Sequence, residues 1–321
     1  MKTQVDSASQ AMLERVREHR NGTASTTTLV EARQRSHAED STFSQLDFTS
    51  SRIERSFPVR DGSRLAVHEF APAEASIGTI VYIHGGGWVY GELDFYDGFA
   101  RELAIMTGCT VVMPEYRRAP EAPFPTALND VSDFLDAYGA ERVANGVTLP
   151  LVLMGDSAGG NLVAAEVQRR AREDDDLIQQ QVLIYPVLDG SMSSESYRDD
   201  PGTLLLTAAG MQWFWDQYVP DIEQRTSPLA SPLLDDDLLP APPTLMMLAR
   251  ADVLYSEGMA YALRLAGLGT DVLLHDAPGQ IHGFFTLRAP FPGARHAMAA
   301  LGVEIRRRLN DEPAPPKWVA I

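Results

Sequence analysis

The stretch Gly155-Asp156-Ser157-Ala158-Gly159-Gly160 decides how the rest of the chain is read. Before it runs the apolar segment Leu149-Pro150-Leu151-Val152-Leu153-Met154, and after it residues 161–172 are rich in Ala and Val at helical spacing. The pattern is strand, tight turn, helix. In a G-x-S-x-G elbow the serine is held in a strained backbone conformation, and glycines two residues to either side keep strand and helix clear of it. Its hydroxyl then projects above the sheet at the positive end of a helix. Glycine and serine are common residues, so the elbow pattern needs support from its surroundings.

That support begins upstream, where the strand-like Thr79-Ile80-Val81-Tyr82-Ile83 runs into His84-Gly85-Gly86-Gly87-Trp88. A triple-glycine loop after a strand lets the main chain approach a substrate oxygen and offers it backbone N–H groups. Around the two motifs strand and helix alternate. Strands are expected at 79–83, 109–113, 151–155, 178–185, 244–250 and 272–276, with helices at about 95–107, 126–138, 161–172, 257–268 and 294–309. Residues 53–59 and 64–70 alternate apolar with polar around Arg60-Asp61-Gly62-Ser63, which reads as a hairpin on an antiparallel edge. Near-continuous apolar strands in rotation with helices predict an α/β fold, its mostly parallel sheet covered on both faces.

The rotation fails in two places. Residues 1–50 are polar, with a helix expected from a Ser9 cap through Met12, Leu13 and Val16 and a second at about 28–40. They are expected to lie over a groove as a lid. Residues 188–240 form an insertion with a helix carrying Met211, Trp213, Phe214, Trp215 and Tyr218. An aromatic cluster at helical spacing reads as core, or, in an insertion, as a substrate-facing wall. Trp88, Trp213, Phe214 and Trp215 are therefore the candidate substrate contacts. The expected division is a cap from 1–50 and 188–240 on a catalytic domain of 51–187 and 241–321, with a frayed tail from Asp311.

A chain of 321 residues buries enough surface to need no disulfide or metal as a staple. A net charge of −17 would be repelled by nucleic acid and by an anionic membrane, so neither is an expected partner. The single cysteine, Cys109, cannot form an internal disulfide and reads as a small buried apolar residue. No leader or membrane span is apparent, and a cytoplasmic location is expected. The acidic runs 174–176 and 235–237 read as solvated loops rather than metal sites.

A serine nucleophile needs a base and an orienting carboxylate, and in α/β-hydrolases both follow it, acid before histidine. His19, His37, His68 and His84 precede Ser157, while His275 falls inside a strand and His296 inside a helix. His282 stands in Gly279-Gln280-Ile281-His282-Gly283-Phe284, expected to be a loop beyond a strand's C-terminal end, where ligands of open α/β sheets bind. For the acid, Asp252 directly follows the 244–250 strand, with Asp276 as the alternative.

Taken together, His84-Gly85-Gly86-Gly87-Trp88, Tyr116-Arg117-Arg118-Ala119-Pro120-Glu121, Gly155-Asp156-Ser157-Ala158-Gly159-Gly160, Asp252 and His282-Gly283-Phe284 resemble the hormone-sensitive-lipase-like (bacterial family IV) esterases of the α/β-hydrolase superfamily. The resemblance spans about 50–310. It implies an eight-stranded sheet with a helical cap and a cofactor-free serine carboxylesterase for short- to medium-chain acyl esters. By position it assigns Ser157, Asp252 and His282 to the catalytic triad and the N–H groups of Gly86, Gly87 and Ala158 to the oxyanion hole. A small-molecule ester is the expected partner, with a homodimer allowed. The alternatives are a lactone or aryl-amide hydrolase on the same triad, and a receptor like the plant gibberellin receptors, which lack the histidine. The chain departs from the family pattern at Arg118, where an apolar residue is usual, at Ala122 in place of histidine, and at Val253-Leu254-Tyr255-Ser256 after the acid.

Overall fold

The computed structural model describes residues 5–22, 51–287 and 291–312. The expected helix at 28–40 and the tail beyond 312 lie outside them. Arg52–Pro58 (β1) and Arg64–Phe70 (β2) pair antiparallel as a hairpin. Its turn closes where the Ser63 N–H and hydroxyl both donate to Asp61 Oδ1, at 2.9 and 2.7 Å. Thr79–Ile83 (β3), Thr110–Pro114 (β4), Leu151–Asp156 (β5), Gln180–Ile184 (β6), Thr244–Ala251 (β7) and Val272–Ile281 (β8) complete an eight-stranded sheet of order β1-β2-β4-β3-β5-β6-β7-β8 among the described residues. β2 meets β4 antiparallel, and every pairing from β4 to β8 is parallel.

Period-2 alternation sends successive side chains of one strand into two cores. Leu151 and Leu153 face Leu128, Phe134, Leu162 and Tyr261, whereas Val152 and Met154 face Phe99, Leu103, Met298 and Ile305. Each of these side chains that is fully buried contributes about 1.5–3 kcal/mol. The first core is covered by Thr126–Ala144, Ala158–Arg172 and Tyr255–Gly267, the second by Leu93–Thr107 and Pro292–Leu309. The helix expected to end at 138 continues to Ala144 through Gly139, whose missing side chain makes room for Leu177: a Cβ there would lie 3.3 Å from it.

The N-terminal helix spans Ser7–Gly22, and its cap is Asp6 rather than Ser9: Asp6 Oδ1 accepts the Ser9 N–H at 2.7 Å. Asp6 also binds the end of β8, its N–H donating to Gly279 O at 3.0 Å and its carboxylate accepting from Gln280 Nε2 at 2.6 Å. Leu13 enters the second core. The segment 188–240 adds no strand. It carries the helices Glu195–Arg198 and Ala208–Tyr218 and two short 3-10 turns. Asn161 Nδ2 donates to Val187 O, just before this segment, at 3.0 Å and to Ala230 O within it at 2.8 Å, tying both to the helix after Ser157. Among the described residues no helix is long and apolar enough to cross a membrane.

Candidate active site

Ser157 occupies the turn between β5 and the helix beginning at Ala158, with φ 54° and ψ −118°. The glycines around it are required by contact. A Cβ on Gly155 would lie 2.5 Å from the Gly159 carbonyl, and one on Gly159 would lie 2.0 Å from Ile83 O. Sheet register does the rest. Asp156 pairs with Ile184 at the top of β5 and β6, and Ala251 pairs with Ile281 at the top of β7 and β8. Asp252 and His282, each the next residue, therefore leave the sheet side by side.

This last pairing depends on an irregularity. Ala249 pairs with Ala277, yet Ala251 pairs with Ile281, so β8 accommodates extra residues around Pro278-Gly279. Gly279 takes φ 76° there. Bulges of this kind re-aim side chains next to active sites. The sequence reading ends β8 at 276 and expects a loop, whereas the strand runs to Ile281 and carries His282 on its tip.

The structure brings the three candidate groups into one chain of hydrogen bonds. His282 Nε2 lies 3.0 Å from Ser157 Oγ, and His282 Nδ1 lies 2.7 Å from Asp252 Oδ2. Asp252 is buried, and its other oxygen accepts the Leu254 N–H at 3.1 Å. The alternative acid is elsewhere: Asp276 accepts from Arg250 Nε at 2.7 Å. His275 is half-buried within β8, and burial lowers its basicity.

The glycine loop is pinned to the elbow. Asp156 Oδ1 accepts the Gly85 N–H at 2.8 Å and the Tyr82 hydroxyl at 2.5 Å. Burial raises the Asp156 carboxyl from 3.8 to about 6 against those bonds. His84 is sandwiched between Tyr116 and Tyr96, ring centroids 4.3 and 5.3 Å away, with Nδ1 2.8 Å from Gly85 O. Burial pushes its imidazole down to about 4, so it is neutral at pH 7. Gly86 O accepts the N–H groups of Val89 and Tyr90 at 3.1 and 2.8 Å, folding the loop into a tight turn. Ala158 is the first residue of its helix, where an N–H has no intrahelical acceptor.

The four candidate substrate contacts separate into two kinds. Trp88 and Trp215 are fully buried, their ring centroids 4.9 Å apart, and they act as core rather than as an open wall. Trp213 is 38% exposed and stacks on Tyr90 at 5.9 Å, and the half-buried Phe214 lies against Gly87. Three residues without a sequence signal also shape the site. Tyr185, at φ 34°, packs its ring 4.7 Å from His282, and its hydroxyl lies 3.2 Å from Thr286 Oγ1. Glu257 is buried and accepts the Leu188 N–H at 2.7 Å, and its carboxyl is raised well above the ordinary range by burial. Ser196, on the insertion, donates to Val253 O at 2.5 Å beside Asp252. Among the described residues, His68, Asp94 and Asp97 cluster closely enough to offer metal ligands. Arg52 already donates to both carboxylates, at 2.5 and 3.0 Å, and Arg101 lies 4.0 Å from Asp97 Oδ2.

A nucleophile elbow, an adjoining glycine loop and a Ser–His–Asp chain on a mostly parallel sheet define the serine hydrolases of the α/β class. The sequence profile of a family described as alpha/beta hydrolase fold matches residues 80–286, more than half of the chain. The chain belongs to that family, within it to the hormone-sensitive-lipase-like carboxylesterases. It is 35% identical to an ethyl acetate hydrolase of Pseudomonas putida over 238 residues, 72% of this chain and 75% of that one. It is 31% identical over 236 residues to the carboxylesterase NlhH of Mycobacterium tuberculosis, covering 72% and 74%. Among solved structures, a thermostable esterase from Pseudomonas putida ECU1011 superposes with a TM-score of 0.87 at 27% identity, covering 96% of this chain and 98% of that one.

Proposed function

We propose that the chain hydrolyses short- to medium-chain carboxylic esters through a covalent acyl-enzyme on Ser157. The observation that carries this reading is the unbroken Ser157–His282–Asp252 chain, 3.0 and 2.7 Å across its two contacts. Ser157 Oγ attacks the ester carbonyl carbon while His282 Nε2 takes its proton. Asp252 accepts from Nδ1–H, fixes the tautomer and stabilises the imidazolium that forms. The N–H groups of Gly86, Gly87 and Ala158 receive the charge that develops on the carbonyl oxygen. His282 then protonates the departing alkoxide, and the alcohol leaves. In the second half water attacks the acyl-enzyme with His282 as base, releasing the acid and restoring Ser157.

The relatives named for ethyl acetate and for carboxylesters support an ester substrate with a small acyl group. Ser157→Ala should lower kcat by about a millionfold, as loss of the nucleophile does in other serine hydrolases. A p-nitrophenyl ester series from acetate to decanoate, with mass spectrometry after fluorophosphonate treatment, checks both parts. Labelling on a peptide other than the one containing Ser157, or wild-type rates in the alanine variant, would refute the mechanism. Activity rising steadily to decanoate would refute the acyl-length reading alone.

A further inference from the structure

Three consecutive residues of the glycine loop have a left-handed backbone: Gly86 at φ 103°, Gly87 at 61° and Trp88 at 60°. Glycine adopts this region freely. A bulky residue does not, and Trp88 keeps it only because surrounding contacts fix it there. The side-chain contacts come from one helix, Ala208–Tyr218, which meets Gly87, Trp88 and Tyr90, while the Trp88 carbonyl accepts the Ala119 N–H at 2.9 Å and Gly86 is held within the loop by the N–H groups of Val89 and Tyr90. The Phe214 ring fills the place of a side chain at Gly87, where an added Cβ would lie 2.1 Å from its Cδ1. Trp88 stacks on Tyr218 at 4.3 Å and 11° and meets Trp215 at 4.9 Å. Tyr90 meets Phe214 edge-on at 5.5 Å and Trp213 face-on at 5.9 Å. The start of the loop is fixed separately, by Asp156 at Gly85 and by the ring stack around His84.

We infer that the aromatic face of this helix, Phe214 with Trp215 and Tyr218, is a positioning element for the oxyanion hole, holding Gly87 and Trp88 in the left-handed turn that orients the donor N–H groups. The inference rests on the reading of Gly86 and Gly87 as oxyanion donors. A helix that only covered the site would govern which substrates fit. This one governs how well the transition state is held, so its effect falls on kcat and not on KM.

The test compares Phe214→Ala with wild type using p-nitrophenyl acetate and an alkyl trifluoromethyl ketone. The ketone adds to Ser157 and places its own oxyanion in the hole. Phe214→Ala should lower kcat/KM about tenfold, less than the hundredfold or more that follows outright loss of a donor. Ketone affinity should fall by the same factor while KM stays within about twofold, and Phe214→Leu should recover part of both. Unchanged ketone affinity, or a loss carried wholly by KM, overturns the inference and leaves Phe214 as a substrate contact. Thermal unfolding monitors the fold, and should Phe214→Ala fail to fold, Phe214→Leu and Trp215→Phe make the same comparison. Fluorophosphonate labelling separates the two levels. Wild type unlabelled at Ser157 sinks the hydrolase mechanism itself, whereas labelled wild type with unaffected variants sinks only the role given to the helix.

Discussion

Asp156→Asn should make the protein progressively more stable than wild type as pH rises. The Asp156 carboxyl is buried, and burial raises it from 3.8 to about 6 in the folded chain. The folded state therefore keeps a proton that the unfolded state has already released. Below about 3.8 both states are protonated and ionisation costs nothing. Between 3.8 and 6 wild-type stability falls as pH rises, and above 6 the full cost persists. At about 1.4 kcal/mol per pH unit that cost is about 3 kcal/mol. Because part of it is already present at the acid end, the gap between variant and wild type should widen by about 2 kcal/mol from pH 4 to pH 8. For a chain of this length that is roughly 3 °C in Tm. Asparagine keeps an oxygen in place for the Tyr82 hydroxyl and the Gly85 N–H, so the loop stays anchored and kcat should remain within about tenfold. Urea titrations of both proteins at pH 4, 6 and 8 measure the difference directly. Glu257 and the other buried acids are present in both proteins and cancel. Parallel stability curves, or a variant that loses ground at pH 8, would show that Asp156 is better solvated by its hydrogen bonds than its burial implies.

Asp252→Asn should lower kcat about ten-thousandfold by freeing the wrong imidazole tautomer, while Asp276→Asn, at a carboxylate paired with Arg250 and away from Ser157, should stay near wild type. Equal losses in steady-state assays of the two would put the acid assignment back in question. Gly159→Ala places a Cβ 2.0 Å from Ile83 O and should prevent assembly of the elbow, seen as loss of soluble folded protein or of all labelling at Ser157. Gly267→Ala, in a helix's last residue with nothing within 4 Å, should raise stability by about 0.4–1 kcal/mol in a denaturant titration; a loss there would mean that the open space beside it is not free.

What the sequence makes legible is the periodic part of the fold and those residues whose chemistry admits few substitutes. Apolar runs of five to eight residues between helical stretches locate the parallel strands β3 to β7 within one or two residues, because burial on both faces leaves no alternation to misread. Ser157, Asp252 and His282 follow from chain order and from strand ends. The bulge at Pro278-Gly279 is harder to read, since its two extra residues look like an ordinary loop and only the pairing of Ala251 with Ile281 reveals a strand. Trp88 and Trp215 show a different limit. Aromatic residues at helical spacing are equally compatible with a wall and with a core, and the choice rests on a left-handed backbone at Trp88 that no neighbouring residue type announces.

Two of the departures from the family pattern, Arg118 and Ser256, are met by partners on other segments, and they leave the Ser157–His282–Asp252 contacts undisturbed. Arg118, in place of an apolar residue, donates to Gly91 O and lies 3.3 Å from Glu115 Oε1, while Glu115 Oε2 accepts the Leu93 N–H at 3.1 Å. The three groups brace the far end of the glycine loop, so the guanidinium takes over a packing role by hydrogen bonding. Ser256 exchanges hydrogen bonds with Ser196, each N–H donating to the other's hydroxyl at 3.1 Å. This couples the turn after Asp252 to the insertion. Changing Ser196 alone removes the acceptor of the Ser256 N–H, and changing Ser256 alone removes that of the Ser196 N–H; a part-buried donor or acceptor without a partner costs about 1–3 kcal/mol. The Ser157–His282–Asp252 chain and the glycine loop are thus braced by a surrounding set of hydrogen bonds. Variation in that set therefore reaches the glycine loop and the acid turn, and through them the rate, without altering a single reacting group.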